Sequence, residues 1–401
     1  MAKRKVREEV GDGSGLDGGS RRIVPLNKRK GGKSMNVQST SRVRRGLWFL
    51  VLLMGFVVGS GGPAQAGALI QVCASGCDYA DLREAVAKAP DRSTLLIGAG
   101  EYAGPVIIAK NIALIGSDRN KVVIARGVIA AGPFQITLRN LTITQGLNGV
   151  HAQAVAGLPP QLSPVLTLEA VTIKGNAANG LALLNSSRAS LCDVLITKNG
   201  VSVSGLPIGS GIALRGSARI LVGVGFDGQP CGQTVVRENS ANGISAADSS
   251  TLTLGANTLI TKHGLNGLQM GGSSQATIQG LISRENTCYG VTVEENAKAT
   301  IVDGQFERNG KAGVHVGGPA GMLPGCVTQG EAAFHATASI TGAVVAGNRI
   351  GILIGDLSKD FEQATVEITS VTLLTNGCDM VVDPVAKKKV KLIGTLPKPC
   401  S

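Results

Sequence analysis

The chain has 401 residues, with 39 Lys and Arg against 27 Asp and Glu, a formal net charge of +12 and 3% aromatic residues. The charge is concentrated at one end: residues 1–66 hold 13 basic and 4 acidic residues, leaving 26 against 23 from Gly67 onward. The remainder is nearly balanced and has no Trp after Trp48, so it lacks the basic stripe and stacking platforms of a nucleic-acid binder, and no nucleic-acid partner is expected.

The first 66 residues read as a leader. Residues 47–58 form an apolar run preceded by Arg42, Arg44 and Arg45, and Ala64, Gln65 and Ala66 make a small-residue cleavage site. The run is too short to span a bilayer core of about 30 Å, so it predicts a secretory signal and no membrane anchor after cleavage. Met35 is a candidate start, because residues 1–34 resemble low-complexity upstream sequence. The expected destination is the periplasm or the cell exterior.

Residues 67–92 are expected to form an N-terminal cap. Leu82, Ala85, Val86 and Ala89 fall on one helical face, Asp81 with Glu84 makes a capping box, and Pro90 stops the helix. Such a lid covers the open core and strand edges at the end of a stack.

From residue 93 to 385 a period of about 23 residues dominates. Asn, three residues, Gly and an alternating apolar pair recur at Asn176/Gly180, Asn239/Gly243, Asn286/Gly290 and Asn309/Gly313, with variants at His263/Gly267 and Asn348/Gly351. Leu168, Leu191, Ile278, Ile301 and Ile340 each precede an Asn by eight residues. The apolar residues alternate, as in strands with one buried face, and Gly, Asn, Ser and Asp separate them. Three strands and three turns per period predict an all-β solenoid, a single parallel β-helix whose coils stack about 4.8 Å apart. The repeated Asn predicts an internal amide ladder. The repeated Gly predicts either a positive-φ turn or close approach of adjacent backbones. Longer coils place insertions at residues 154–164, 201–210, 225–233 and 317–332. Residues 386–401, with Lys387, Lys388, Lys389 and Lys391, are expected to blunt the far end.

Residues 79–90, 95–102, 106–116 and 134–143 resemble the opening and the generic coil of the pectate-lyase-like superfamily of right-handed parallel β-helix proteins. The resemblance covers about residues 78–395 and implies the handedness of the coil. It is specific for fold and leaves activity open, because the superfamily includes pectate lyases, polygalacturonases, methylesterases, uronan epimerases and phage tailspikes.

All eight Cys follow the leader, which favours disulfides in an exported chain. Bonded Cα atoms lie within about 7 Å, so partners share a coil or are neighbours. Sequential pairing follows: Cys73–Cys77, Cys192–Cys231, Cys288–Cys326 and Cys378–Cys400.

A column beside the Asn carries Lys174, Lys198, Arg237, Lys262, Arg284 and Arg308, about one cation per coil. Such a ladder is the candidate binding site for the carboxylates of an acidic polysaccharide, although Glu238, Glu285 and Glu307 occupy the same turns. Glu294, Glu295 and Asp303 form the densest acidic group, a candidate for calcium or for acid–base chemistry. No other cofactor is expected, since His151, His263, His315 and His335 are dispersed. The catalytic constellations of polygalacturonases and alginate epimerases are missing: there is no Asp-Asp pair, and Asp383 and Pro384 lead to Val385. The expectation is therefore an exported β-helix binding or surface-scaffold module. The alternative is a lyase or epimerase acting on uronic-acid glycans. A groove with three or more converging charged side chains favours the enzyme, and a flat Ser/Thr/Ala face favours the scaffold.

Overall fold

The computed structural model describes residues 67–154, 159–203, 206–317, 326, 335–355, 364–382 and 390–393. All of them belong to the unit Ala64–Ser401. The expected leader lies outside the described residues, as do parts of three insertions and most of the C-terminal tail.

Each coil contributes three short strands. Leu268–Met270, Gln275–Gln279 and Ile282–Arg284 make one coil. The next coil repeats them in parallel register, with Leu268 beside Val291, Ala276 beside Ala299 and Ser283 beside Phe306. One face is a sheet of 11 parallel strands, from Val106–Ile108 to Cys378–Val382. The other two faces are joined by Gln135–Thr144 and Val165–Lys174, two 10-residue strands that run through the corner between them. The last described strand, Val390–Ile393, pairs in parallel with Thr365–Thr369, and Lys391 reaches Glu367 at 2.8 Å.

Alternation makes the core. Leu168, Leu191, Val222, Leu254, Ile278, Ile301, Ile340 and Ile368 are successive register partners, and all are buried. Ala276, Ala299 and Ala338 form the neighbouring inward column, where small side chains suit a narrow interior. The cap is present as the helix Leu82–Lys88, which packs against Leu69–Val72 and Val106–Ile108 and buries Leu82, Ala85 and Val86. Asp81 accepts from the N–H groups of Arg83 and Glu84, as a capping residue should. Glu84 does not close the box; its carboxylate pairs with Lys88 at 2.6 Å.

The amide ladder forms. The side-chain oxygen of each Asn accepts from the backbone N–H and the amide of the Asn one coil earlier. The pairs Asn176–Asn199, Asn199–Asn239, Asn286–Asn309, Asn309–Asn348 and Asn348–Asn376 are all made this way. Between Asn239 and Asn286 the rung is His263. The recurrent Gly is explained by close approach and not by a turn. Gly180 and Gly290 have no positive φ. A Cβ on Gly290 would stand 2.5 Å from the carbonyl oxygen of Gly313 and 2.9 Å from the amide nitrogen of Asn309.

Positive φ occurs instead at the corners, where it turns the chain. At the corner before each rung of the ladder it is carried by Gly175, Lys198, Glu238, Lys262, Glu285, Arg308, Gly347 and Thr375. Left-handed backbone is uncommon for residues other than Gly. Here it aims a charged side chain out of five successive coils.

Candidate binding groove

The basic residues are not one column. The strand registers place Lys174 beside Thr197, Thr197 beside Arg237, Arg237 beside Thr261, Thr261 beside Arg284, and Arg284 beside Glu307. Lys198, Glu238, Lys262, Glu285 and Arg308 belong to the corner one residue further on. The expected single ladder is thus two adjacent columns, between which the cations zigzag.

The corner column alternates in sign and pairs with itself. Lys198 lies 3.9 Å from Glu238, Lys262 lies 3.7 Å from Glu285, and Arg308 lies 2.9 Å from Glu285 and 3.3 Å from Glu307. The hydrogen bond from Arg308, helped by the charge of Lys262, holds the Glu285 carboxyl below its ordinary value. The Arg308 guanidinium is correspondingly raised, first through that same bond. These side chains are partly or largely exposed, so each pair contributes little to stability. Their effect is to hold charge in a set pattern.

Beside these columns runs a groove of about 490 Å³. Half-buried Leu195, Val235 and Leu259 line it, flanked on one side by Arg237, Thr261 and Arg284 with the corner residues Glu238, Lys262 and Glu285. Arg119 and Asp193 also line it. Arg119 comes from an early turn and reaches across the stack, donating to the carbonyl of Ala170 at 2.8 Å and to the Asp193 carboxylate at 2.6 Å. Asp193 follows Cys192, and Gln233, another lining residue, stands two residues after Cys231. The disulfide Cys192–Cys231 therefore ties two lining residues together. Of the six expected binding residues, the groove brings together Arg237, Lys262 and Arg284, and it leaves Lys174, Lys198 and Arg308 outside.

The groove contains polar atoms without partners. Among the described residues, Thr261 Oγ1 and Arg284 Nε of the lining are buried and make no hydrogen bond; Thr197 Oγ1, in the register next to Arg237 but outside the lining, is likewise buried without one. Among the described residues Arg284 makes no ion pair.

The three acidic candidates do not converge. Glu295 occupies the corner after the first strand and Asp303 the corner after the second. Glu294 is buried beside the first strand, where it accepts from Thr292 Oγ1 at 2.8 Å. Thr292 also contacts His315 Nδ1 at 2.9 Å, and Tyr289 stacks on His315 at 4.9 Å. Among the described residues no three His, Cys, Asp or Glu side chains are placed to hold a metal ion.

Three of the sequential disulfides are present: Cys73–Cys77, Cys192–Cys231 and Cys288–Cys326. Cys378 is also disulfide-bonded. Its expected partner, Cys400, lies outside the described residues.

Comparison with known proteins gives the same architecture. A family model described as a right handed beta helix region matches residues 233–323. The catalytic unit of a thermostable GH87 α-1,3-glucanase from Streptomyces thermodiastaticus superposes with a TM-score of 0.55 at 14% identity, covering 84% of this chain and 72% of that one. The chain is a right-handed parallel β-helix. At such low identity the likeness is one of fold alone. The A-module of an Azotobacter vinelandii mannuronan C-5 epimerase aligns at 14% identity over 79% of this chain and 96% of that one, with a TM-score of 0.49. Pectate lyase Pel9A aligns at 12% identity over 77% and 78%, with a TM-score of 0.44. No curated protein matches the sequence.

The β-helix places on one face what lies far apart in the chain. Arg119 and Asp193 carried no periodic signal, because their contact spans 74 residues and several coils. Among the described residues no helix is long and apolar enough to cross a membrane.

Proposed function

We propose that this is an exported β-helix protein whose groove binds an extended acidic polysaccharide. The observation that carries this reading is the convergence of Arg119, Arg237, Lys262 and Arg284 around an apolar floor that crosses three neighbouring strands. A linear polymer lying along the stack meets these cations in succession. Leu195, Val235 and Leu259 offer an aliphatic surface for the C–H faces of sugar rings. Disulfides and the apolar leader support export.

A second reading, a uronan lyase or epimerase, draws support from the same convergence of charge, because a groove and not a flat face is present. Proton abstraction needs a base with a pKa near working pH. Glu285 is held below its ordinary value by Arg308 and Lys262, which suits a charge-fixing role better than that of a base.

One experiment separates the readings. The exported protein is passed over immobilised pectate and alginate at low salt, while absorbance of unsaturated uronides is followed. Retention that weakens as salt rises, without product, supports binding. Product formation supports the enzyme. Absence of retention on either polymer rejects both.

A further inference from the structure

We propose that the groove, together with the strand register that leads into it, carries two carboxylate subsites, Thr197 with Arg237 and Thr261 with Arg284, and that it selects a uronic-acid chain in a flat two-fold ribbon. This inference rests on the binding role proposed above and specifies its ligand.

The chemical repeat beside the groove is longer than the coil. Successive coils present Thr197 and Lys198, then Arg237 and Glu238, then Thr261 and Lys262, then Arg284 and Glu285. Thr-Lys followed by Arg-Glu therefore occurs twice, each time over two coils. Within each unit the Lys and Glu face each other, at 3.9 Å for Lys198 and Glu238 and at 3.7 Å for Lys262 and Glu285. Arg237 additionally lies 3.9 Å from Glu238. The four side chains of a unit carry two cations and one anion, so each unit keeps one net positive charge.

The unpartnered atoms occur in the same units. Thr197 and Thr261 are 5% and 7% exposed, and among the described residues neither hydroxyl has a hydrogen-bond partner; Arg284 Nε also has none there. Buried polar groups without partners are rare in native folds. A guanidinium N–H can only donate, and a hydroxyl can donate as well. A ligand carboxylate beside each Thr and Arg accepts from both, and charge-assisted bonds of this kind are the strong ones.

The spacing then selects the ligand. One coil rises about 4.8 Å, so the two subsites stand about 9.6 Å apart along the stack. In a diequatorially 1,4-linked pyranose chain, successive residues point to opposite sides and each advances by roughly one strand spacing. Alternate carboxylates then face the protein at the two-coil interval, and the intervening ones face solvent. A chain in three-fold helical form rotates its carboxylates out of this register.

The test is a calorimetric titration of the whole exported protein at low salt with β-1,4-mannuronate oligosaccharides of one to five residues, beside α-1,4-galacturonate oligosaccharides of the same lengths. A mannuronate disaccharide reaches one subsite, and a trisaccharide bridges both. The expected result is a rise in affinity of at least about tenfold from disaccharide to trisaccharide. Little further gain is expected at the tetrasaccharide, and no such step with galacturonates. Arg284→Gln is expected to bring the trisaccharide back to within about twofold of the disaccharide, with melting measured to verify the fold; Thr261→Val, at the same subsite, is expected to reduce the step. A smooth rise with length, an equal step for galacturonates, or a step indifferent to both substitutions overturns the two-subsite register and leaves groove binding standing. Failure of every oligosaccharide and of the immobilised polymers to bind overturns both.

Discussion

The backbone N–H of Asn239 donates to Nδ1 of His263 across 3.2 Å. Nδ1 must therefore be the acceptor, and the ring proton sits on Nε2, which faces the carbonyl of Val236 at 3.0 Å. An imidazole here does the work of an amide, accepting on one side and donating on the other. Its surroundings are fully buried, and burial pushes the ring down to about 4.

The pH dependence follows from that value. The folded state holds His263 neutral, while the unfolded chain protonates it near 6.5. Between these values the unfolded state binds more protons, so stability is complete above about pH 6.5 and falls as pH drops toward 4. The loss attributable to this residue is on the order of 3 kcal/mol. His263→Asn supplies an amide that does not titrate. Urea unfolding at pH 7.5, 5.5 and 4 should show a shallower decline for the variant, and parallel declines would reject the assignment.

Asn309 occupies the centre of the ladder. Its side-chain oxygen accepts from both the backbone and the amide of Asn286, and its own amide reaches Asn348 at 3.1 Å. Asn309→Leu strips Asn286 of its acceptor inside the core. The expected loss is roughly 1–3 kcal/mol for each group left unpaired. An unchanged thermal midpoint would mean that the ladder contributes nothing.

Gly290→Ala tests the reason for the Gly column. The added methyl meets the Gly313 carbonyl and the Asn309 amide, neither of which can move without shifting a coil. Overpacking of this kind costs about 1–3 kcal/mol. A neutral outcome in chemical unfolding would show that the stack can dilate at this point.

The bond Cys192–Cys231 closes a separation of 39 residues. Replacing both residues with Ser should cost roughly 3–4 kcal/mol. Because Asp193 and Gln233 border the groove next to these cysteines, polymer retention should fall as well. Loss of stability with retention intact would separate the bridge from the site.

Arg284 and Arg308 are expected to differ, although both stand beside ladder asparagines. Arg308 is committed to Glu285 at 2.9 Å and lies outside the groove, while Arg284 lines it without an ion pair among the described residues. Arg284→Gln should lower the salt concentration that elutes the protein from alginate or pectate, and Arg308→Gln should leave it nearly unchanged. Screening over about 10 Å at 0.1 M salt makes elution a sensitive measure. Equal effects would return Arg308 to the binding surface.

Much of this molecule is a consequence of its period. Asn286 and Asn309 share a column because each coil takes about the same number of residues, and Ile278 lies over Ile301 for the same reason. The same constraint makes sequential disulfides the natural choice, since only neighbouring coils bring sulfur atoms together. These features were legible because they depend on distance along the stack, which periodicity encodes. Position around the coil is different. Whether Lys262 sits on a strand or a corner depends on the sign of one φ, and a charged residue at a positive-φ corner leaves no distinctive letter in the sequence. That single-residue step turned one expected column into two. Arg119 was invisible for another reason: a long side chain crossing several coils to Asp193 obeys no repeat. The repeat fixes the stack, its core and its covalent ties, because these follow from what recurs. Which charges face a common groove emerges only in three dimensions, because that depends on corner geometry and on the reach of individual side chains.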